Sequence, residues 1–123
     1  MSQYSHGYRI DGYLPPEPGI ASPELKVETA PELPASVDLR PWCSPVEDQG
    51  TIGSCTANAI VGALEYLMIR NFGRYVNLSR LFVYYNSRRF SDREAVDSGT
   101  SMHHAMASLL AHGACLEEYW PYD

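Results

Sequence analysis

Apolar residues recur at helical spacing in three stretches from Cys55 onward, and in none of the first third of the chain. From Cys55 to about Arg70, Ile60, Leu64 and Leu67 follow i, i+4, i+7 spacing, while Ala57, Val61, Ala63 and Ile69 fill much of the remaining circumference. That pattern predicts a helix apolar all round, placed in the middle of a domain. Asn71-Phe72-Gly73 supplies its stop, with Gly73 suited to a left-handed residue. Ser79 then caps a shorter helix through about Ser87, with Leu81, Phe82 and Tyr85 turned inward. The stretch from Arg88 to Ser98 is charged and polar and reads as a loop. Thr100 or Ser101 caps a third helix, from Met102 to about His112, closed by Gly113. Met102, Ala105, Met106 and Leu109 fall on its expected buried face, with His103, Ala107 and Ser108 opposite.

Residues 1–34 look different. Pro15-Pro16-Glu17-Pro18-Gly19 and Ala30-Pro31-Glu32-Leu33-Pro34 break any period, so this part reads as an extended tail. Tyr4, Tyr8, Tyr13 and Leu14 exceed what a solvated tail needs. The alternative is a short pro-segment lying along the domain or across a cleft. Residues 35–123 then form the globular part, and the chain contains no internal repeat.

Composition narrows the possibilities. A chain of 123 residues with 45% hydrophobic content is enough for one ordinary domain. A net charge of −6 without a basic cluster argues against nucleic acid. No apolar run approaches the ~18 residues of a membrane span, and the N-terminus lacks a secretory pattern, so no membrane partner is expected and a cytoplasmic location is favoured. Cys43, Cys55 and Cys115 are odd in number and widely spaced, unlike a disulfide framework. Cys43 and Cys115 are expected to be small buried apolar residues, with a disulfide between them as the minor possibility.

The candidate chemistry lies in Asp48-Gln49-Gly50-Thr51-Ile52-Gly53-Ser54-Cys55-Thr56-Ala57-Asn58-Ala59. A cysteine opening a helix sits among unpaired backbone N–H groups at the positive end of the dipole, which favours its thiolate. Cys55 is therefore a candidate nucleophile. The glycines before it permit a tight turn and close approach of a substrate backbone. Gln49, six residues upstream, can aim its amide at an oxygen that becomes negative during acyl transfer, beside the Cys55 N–H.

These residues carry a resemblance. Leu33-Pro34-Ala35-Ser36-Val37-Asp38-Leu39-Arg40, Ser44-Pro45-Val46-Glu47-Asp48-Gln49-Gly50 and Gly53-Ser54-Cys55 resemble the start of the mature domain of papain-like cysteine peptidases. Gly99-Thr100-Ser101-Met102, the helical run, Gly113 and Tyr119-Trp120-Pro121-Tyr122 resemble the family's substrate-cleft segment, following helix and Tyr-Pro-Tyr element. The resemblance spans roughly Leu33 to Asp123. It implies an α+β papain-like fold, of which this chain supplies mainly the helical N-terminal half. It also implies a peptide or protein substrate, an acyl-enzyme on Cys55, an oxyanion site at Gln49 and no cofactor. Gly53, Ser54, Gly99 and Thr100 are assigned to the substrate, with Met102 as a wall of the pocket for the side chain one removed from the cleaved bond.

Departures from the family pattern sharpen these expectations. The family's general-base histidine and its orienting asparagine lie on the order of 130–150 residues after the cysteine. The chain ends before that, so it reads as a fragment that needs the C-terminal half of the same enzyme and is inactive alone. Thr56 stands where a bulky aromatic usually follows the nucleophile. Thr100 replaces a second glycine and is expected to narrow the cleft. Ile52 and Asp97 occupy the positions of a cysteine pair that many relatives carry. The tail is shorter than the family's helical pro-domain, so inhibition by it is not expected. His103 and His104 point about 100° apart on a helix and His112 lies two turns from His104, so no metal site is expected and these side chains belong to surface or rim. His6 lies in the tail and carries no assignment. The rival readings are a non-catalytic peptide-binding or truncated relative of the same fold and, more weakly, another acyl-transfer enzyme.

Overall fold

The computed structural model describes residues 4–5, 8–9, 12–20 and 32–122. The side chains of Tyr4 and Tyr8, together with His6 and Asp123, lie outside the described residues. Three helices carry the architecture: α1 (Cys55–Phe72), α2 (Arg80–Arg89) and α3 (Met102–His112). Each is bounded as its sequence dictates. Ser79 and Ser101 cap α2 and α3 by accepting from the N–H groups of Phe82 and His104. Gly73 ends α1 in a left-handed conformation, with φ 63°, and its N–H returns to the Ile69 carbonyl.

Strands are few and short. β1 (Tyr4–Ser5) pairs antiparallel with β2 (Tyr8–Arg9). β3 (Tyr13–Leu14) runs parallel to β4 (Thr100–Ser101), with Tyr13 opposite Thr100 and Leu14 opposite Ser101. The tail is therefore not devoid of strand structure, as its proline content suggested. An antiparallel bridge between Leu78 and Leu116, flanked by Ser79 N–H to Cys115 O at 2.9 Å and Glu117 N–H to Asn77 O at 3.0 Å, anchors the C-terminal segment. The fold is α+β and mainly helical, as expected.

Ala57, Ile60, Val61, Leu78, Val83, Tyr84 and Ala105 form the buried core. The helix faces differ from the sequence reading in phase. In α1 Leu67 is 50% exposed, while Glu65 is fully buried. The helix is thus one-sided rather than buried all round. Glu65 is accommodated because its carboxylate accepts from the Leu78 N–H at 2.9 Å and from Arg80 at 3.0 Å, satisfying a charge that would otherwise be costly to bury. In α2 the core takes Val83 and Tyr84, whereas Phe82 and Tyr85 lie half-buried against Trp120. In α3 Ala105 and Ser108 are buried and Met102 and Met106 stand exposed. Close helix packing selects small side chains at that face and displaces the larger ones outward.

Candidate active site

Cys55 is the first residue of α1, directly after the N-cap Ser54. Ser54 is fully buried, and Asn58 Nδ2 donates to its carbonyl at 3.1 Å and to its Oγ at 3.0 Å. Ser54 Oγ also bonds the Tyr122 hydroxyl, which donates onward to the Gln49 carbonyl at 2.8 Å. Tyr122 thus joins the Gln49 loop to the helix start from a position far along the chain. Burial pushes the Tyr122 phenol above its ordinary range, opposed by its hydrogen bond with Ser54, so it stays neutral and able to donate. Ser54 is buried whole, and its carbonyl also accepts the Asn58 backbone N–H at 2.9 Å, so it serves the site as a fixed support for the residue that follows it.

Gln49 is half-buried and its amide nitrogen donates to the Ile52 carbonyl at 2.9 Å. A carboxamide has two N–H groups, so this bond fixes the amide while leaving a second donor. The turn between them uses Gly50 at φ 60°, with the Asp48 carboxylate accepting its N–H at 2.8 Å. Gly53 donates to both carboxylate oxygens of Asp97, at 3.0 and 3.2 Å. Asp97 Oδ1 also accepts from the Tyr84 hydroxyl at 2.6 Å, and Tyr84 accepts the Gly99 N–H at 2.8 Å. Burial first, then the bond to Asp97, drives the Tyr84 phenol far above its ordinary range.

The two family departures meet each other. Thr56 is buried and its hydroxyl donates to the Thr100 carbonyl at 3.0 Å, tying the first turn of α1 to β4. Thr100 itself is buried, and its N–H donates to the Gly12 carbonyl at 2.9 Å. Gly12 is wedged between two backbones: a Cβ there would lie 2.4 Å from the Gly53 carbonyl oxygen. A Cβ on Gly99 would lie 2.3 Å from the Gly12 oxygen, and Gly99 has φ 75°. The tail from Gly12 to Leu14 therefore lies along the edge formed by Gly53, Gly99 and Thr100. Met102 opens α3 beside this edge and is 45% exposed.

Cys43 departs from expectation. It is exposed, with Sγ 3.4 Å from the Leu39 carbonyl in a short 3-10 turn at Arg40–Trp42, and has no apolar pocket to fill. Cys115 is half-buried, and all three thiols are free. His103 and His112 are exposed, while His104 stacks on Phe90 at 6.0 Å. Among the described residues no group of three or more His, Cys, Asp or Glu side chains is arranged to hold a metal. No helix among them is long and apolar enough to cross a membrane. Sequence reasoning missed Tyr84, Asn58 and Tyr122 as supports of the site. Tyr122 was legible only as part of a Tyr-Pro-Tyr block, and Asp97 only as the occupant of a cysteine position.

The site is thus a cysteine at the head of a helix with one face in the core, with a glutamine loop and a glycine-containing edge beside it. Comparison with known proteins places the chain in a family. No family model matches the chain. It is 42% identical over 77 residues to an uncharacterized peptidase C1-like protein of Acanthamoeba polyphaga mimivirus, covering 62% of this chain and 25% of that protein. It is 34% identical over 98 residues to the viral cathepsin of Adoxophyes honmai nucleopolyhedrovirus, covering 75% of this chain and 27% of that one. Among solved structures, xylellain, a cysteine protease from Xylella fastidiosa, superposes with a TM-score of 0.69 at 34% identity, covering 95% of this chain and 43% of that chain. Digestive procathepsin L 3 of Tenebrio molitor larval midgut gives a TM-score of 0.67 at 31% identity, covering 79% and 32%. The chain belongs to the papain-like cysteine peptidases. It spans about a quarter of the length of the curated relatives it matches.

Proposed function

We propose that this chain carries the nucleophile and one wall of the substrate cleft of a cysteine endopeptidase. The Cys55 thiolate attacks the carbonyl carbon of a peptide bond, and the oxygen becomes an oxyanion held by the Cys55 N–H and the Gln49 amide. Collapse expels the amine and leaves a thioester on Cys55, which water then hydrolyses to free acid and thiol. A histidine from a part of the peptidase domain outside these residues takes the thiol proton and returns it to the leaving amine, oriented by an asparagine from the same part. The observation that carries this reading is the clamp around Cys55: Gln49, fixed at 2.9 Å to Ile52, is tied through Tyr122 to the cap of the helix that Cys55 opens.

The substrate peptide lies along Gly99 and Thr100, with Met102 walling an apolar pocket. In the folded chain the tail holds this edge, since Gly12 takes the Thr100 N–H. That contact supports reading the tail as a short pro-segment lying along the edge, where it competes with substrate for the Thr100 N–H.

The test is turnover of a peptide substrate by the extended peptidase domain. Cys55→Ser should abolish hydrolysis, and Gln49→Ala should lower kcat by about 10²–10³, the usual cost of one oxyanion donor. Turnover within a factor of about three after Gln49→Ala would make Gln49 a loop residue only.

A further inference from the structure

The turn that precedes Cys55 and the edge that lines the cleft come from segments 44 residues apart, and one side chain spans them. The Asp97 carboxylate takes the Gly53 N–H on both oxygens, at 3.0 and 3.2 Å, and its Oδ1 takes the Tyr84 hydroxyl at 2.6 Å. Tyr84 is 1% exposed, and its oxygen receives the Gly99 N–H at 2.8 Å. The result is a continuous relay: Gly53 N–H, Asp97 carboxylate, Tyr84 hydroxyl, Gly99 N–H. The charged acceptor makes it stronger than a neutral chain of bonds. Tyr84 sits in the core through its ring, so the relay is referenced to a rigid point.

The geometry points to Asp97 and Tyr84 as positioning residues that set the spacing between the nucleophile turn and the substrate edge. They do so by hydrogen bonds where Ile52 and Asp97 replace a possible covalent tie. Neither touches the reacting atoms. Asp97 fixes the peptide directly before Ser54 and Cys55, and Tyr84 fixes the left-handed Gly99, whose amide begins the edge. This spacing matters because loosening either turn moves the thiol relative to the bound peptide, and displacements of about 1 Å are enough to slow an oriented reaction. The inference rests on the reading of Cys55 as nucleophile.

The test separates the two claims by measuring amide hydrogen exchange and thiol labelling on the full chain. Asp97→Ala should speed exchange at Gly99, whose bond is to Tyr84 and not to Asp97, by about tenfold. Tyr84→Phe, which keeps the ring in the core, should speed exchange at Gly53 by a similar factor of about ten. Both variants should slow iodoacetamide labelling of Cys55 severalfold, because a frayed first turn no longer aims its N–H groups at Sγ. Introducing Ile52→Cys with Asp97→Cys and oxidising the pair should restore slow exchange at Gly99 and native labelling of Cys55, with both lost on reduction. Gly99 exchange unchanged by Asp97→Ala and Gly53 exchange unchanged by Tyr84→Phe would overturn the relay, and so would a cysteine pair that fails to oxidise or to rescue. Should Asp97→Ala fail to fold, Tyr84→Phe read at Gly53 decides alone. If Cys55 of the unaltered chain is labelled no faster than Cys43, the nucleophile reading fails while the exchange measurements still judge the relay.

Discussion

At the start of α1, Ser54 is fully buried and bonded to Asn58 and Tyr122, Thr56 reaches Thr100, and the preceding Gly53 is held by Asp97. At the far end, Phe72 is 78% exposed and Gly73 closes the helix by a backbone bond to the Ile69 carbonyl. Both ends terminate a helix adequately, so stability alone does not require the first arrangement. A local cap satisfies orphan backbone groups with one residue, whereas the Cys55 end recruits side chains from several separated segments. Such convergence fixes position, which is what a nucleophile and its oxyanion loop need. The exposed Asp38–Arg40 pair makes the same point at the surface. Arg40 bonds both carboxylate oxygens of Asp38 and holds its carboxyl below the ordinary range, and Asp38 also accepts the Arg40 backbone N–H at 3.0 Å, so the pair fixes only its own turn.

The largest effect should come from the middle of α1, where the two halves of that comparison join. Glu65→Ala leaves Arg80 buried without its main partner and should destabilise the chain by about 3–5 kcal/mol, measured by urea unfolding. Next, Gly12→Ala forces a Cβ into the Gly53 carbonyl. Overpacking of this kind costs about 1–3 kcal/mol, so the tail should leave the edge and a bulky thiol reagent should reach Cys55 at least about fivefold faster. Unchanged labelling would mean the tail does not cover the thiol. The two ends can then be compared directly. Tyr122→Phe and Gly73→Ala should each cost about 1–2 kcal/mol, but Tyr122→Phe alone should slow Cys55 labelling. Equal effects on labelling would erase the distinction between a positioned end and a merely capped one.

The smallest effect is one of pH. Tyr84 and Tyr122 both have phenols raised by burial, so above pH ~10, the ordinary tyrosine value, the unfolded chain releases protons that the folded chain retains. Stability should be flat with respect to these groups through neutral pH and fall as the pH rises past that value. Thermal melts of Tyr84→Phe should show a shallower alkaline decline than the unaltered chain. An identical slope would place the Tyr84 phenol outside the linkage.

The helix boundaries are legible in the sequence because capping is local: Ser79, Ser101, Gly73 and Gly113 act within a few residues of themselves. The placement of Cys55, the candidate nucleophile, at the head of a helix is legible for the same reason. The buried faces are not. Leu67 and Met106 look like core by periodicity, but Glu65 and Ser108 are buried in their place, Glu65 through the Leu78 N–H and Arg80 and Ser108 through its small size against the neighbouring helices, which no local pattern reveals. The supports of the site are hidden for the same cause. Tyr84 and Asp97 lie 31 and 44 residues from Gly53, and Tyr122 lies 73 from Gln49. Cys43 escapes sequence reasoning because its small thiol sits in an exposed turn, where composition carries no information about burial.

The most direct measurement is the relative rate at which a small alkylating agent modifies the three thiols of the folded chain near neutral pH, read by peptide mapping. Cys43 is the more exposed, so access alone would favour it. Activation at the helix start predicts that half-buried Cys55 reacts faster than both Cys43 and Cys115. Equal labelling of all three, or preference for Cys43 or Cys115, would contradict the assignment of Cys55 as the nucleophile.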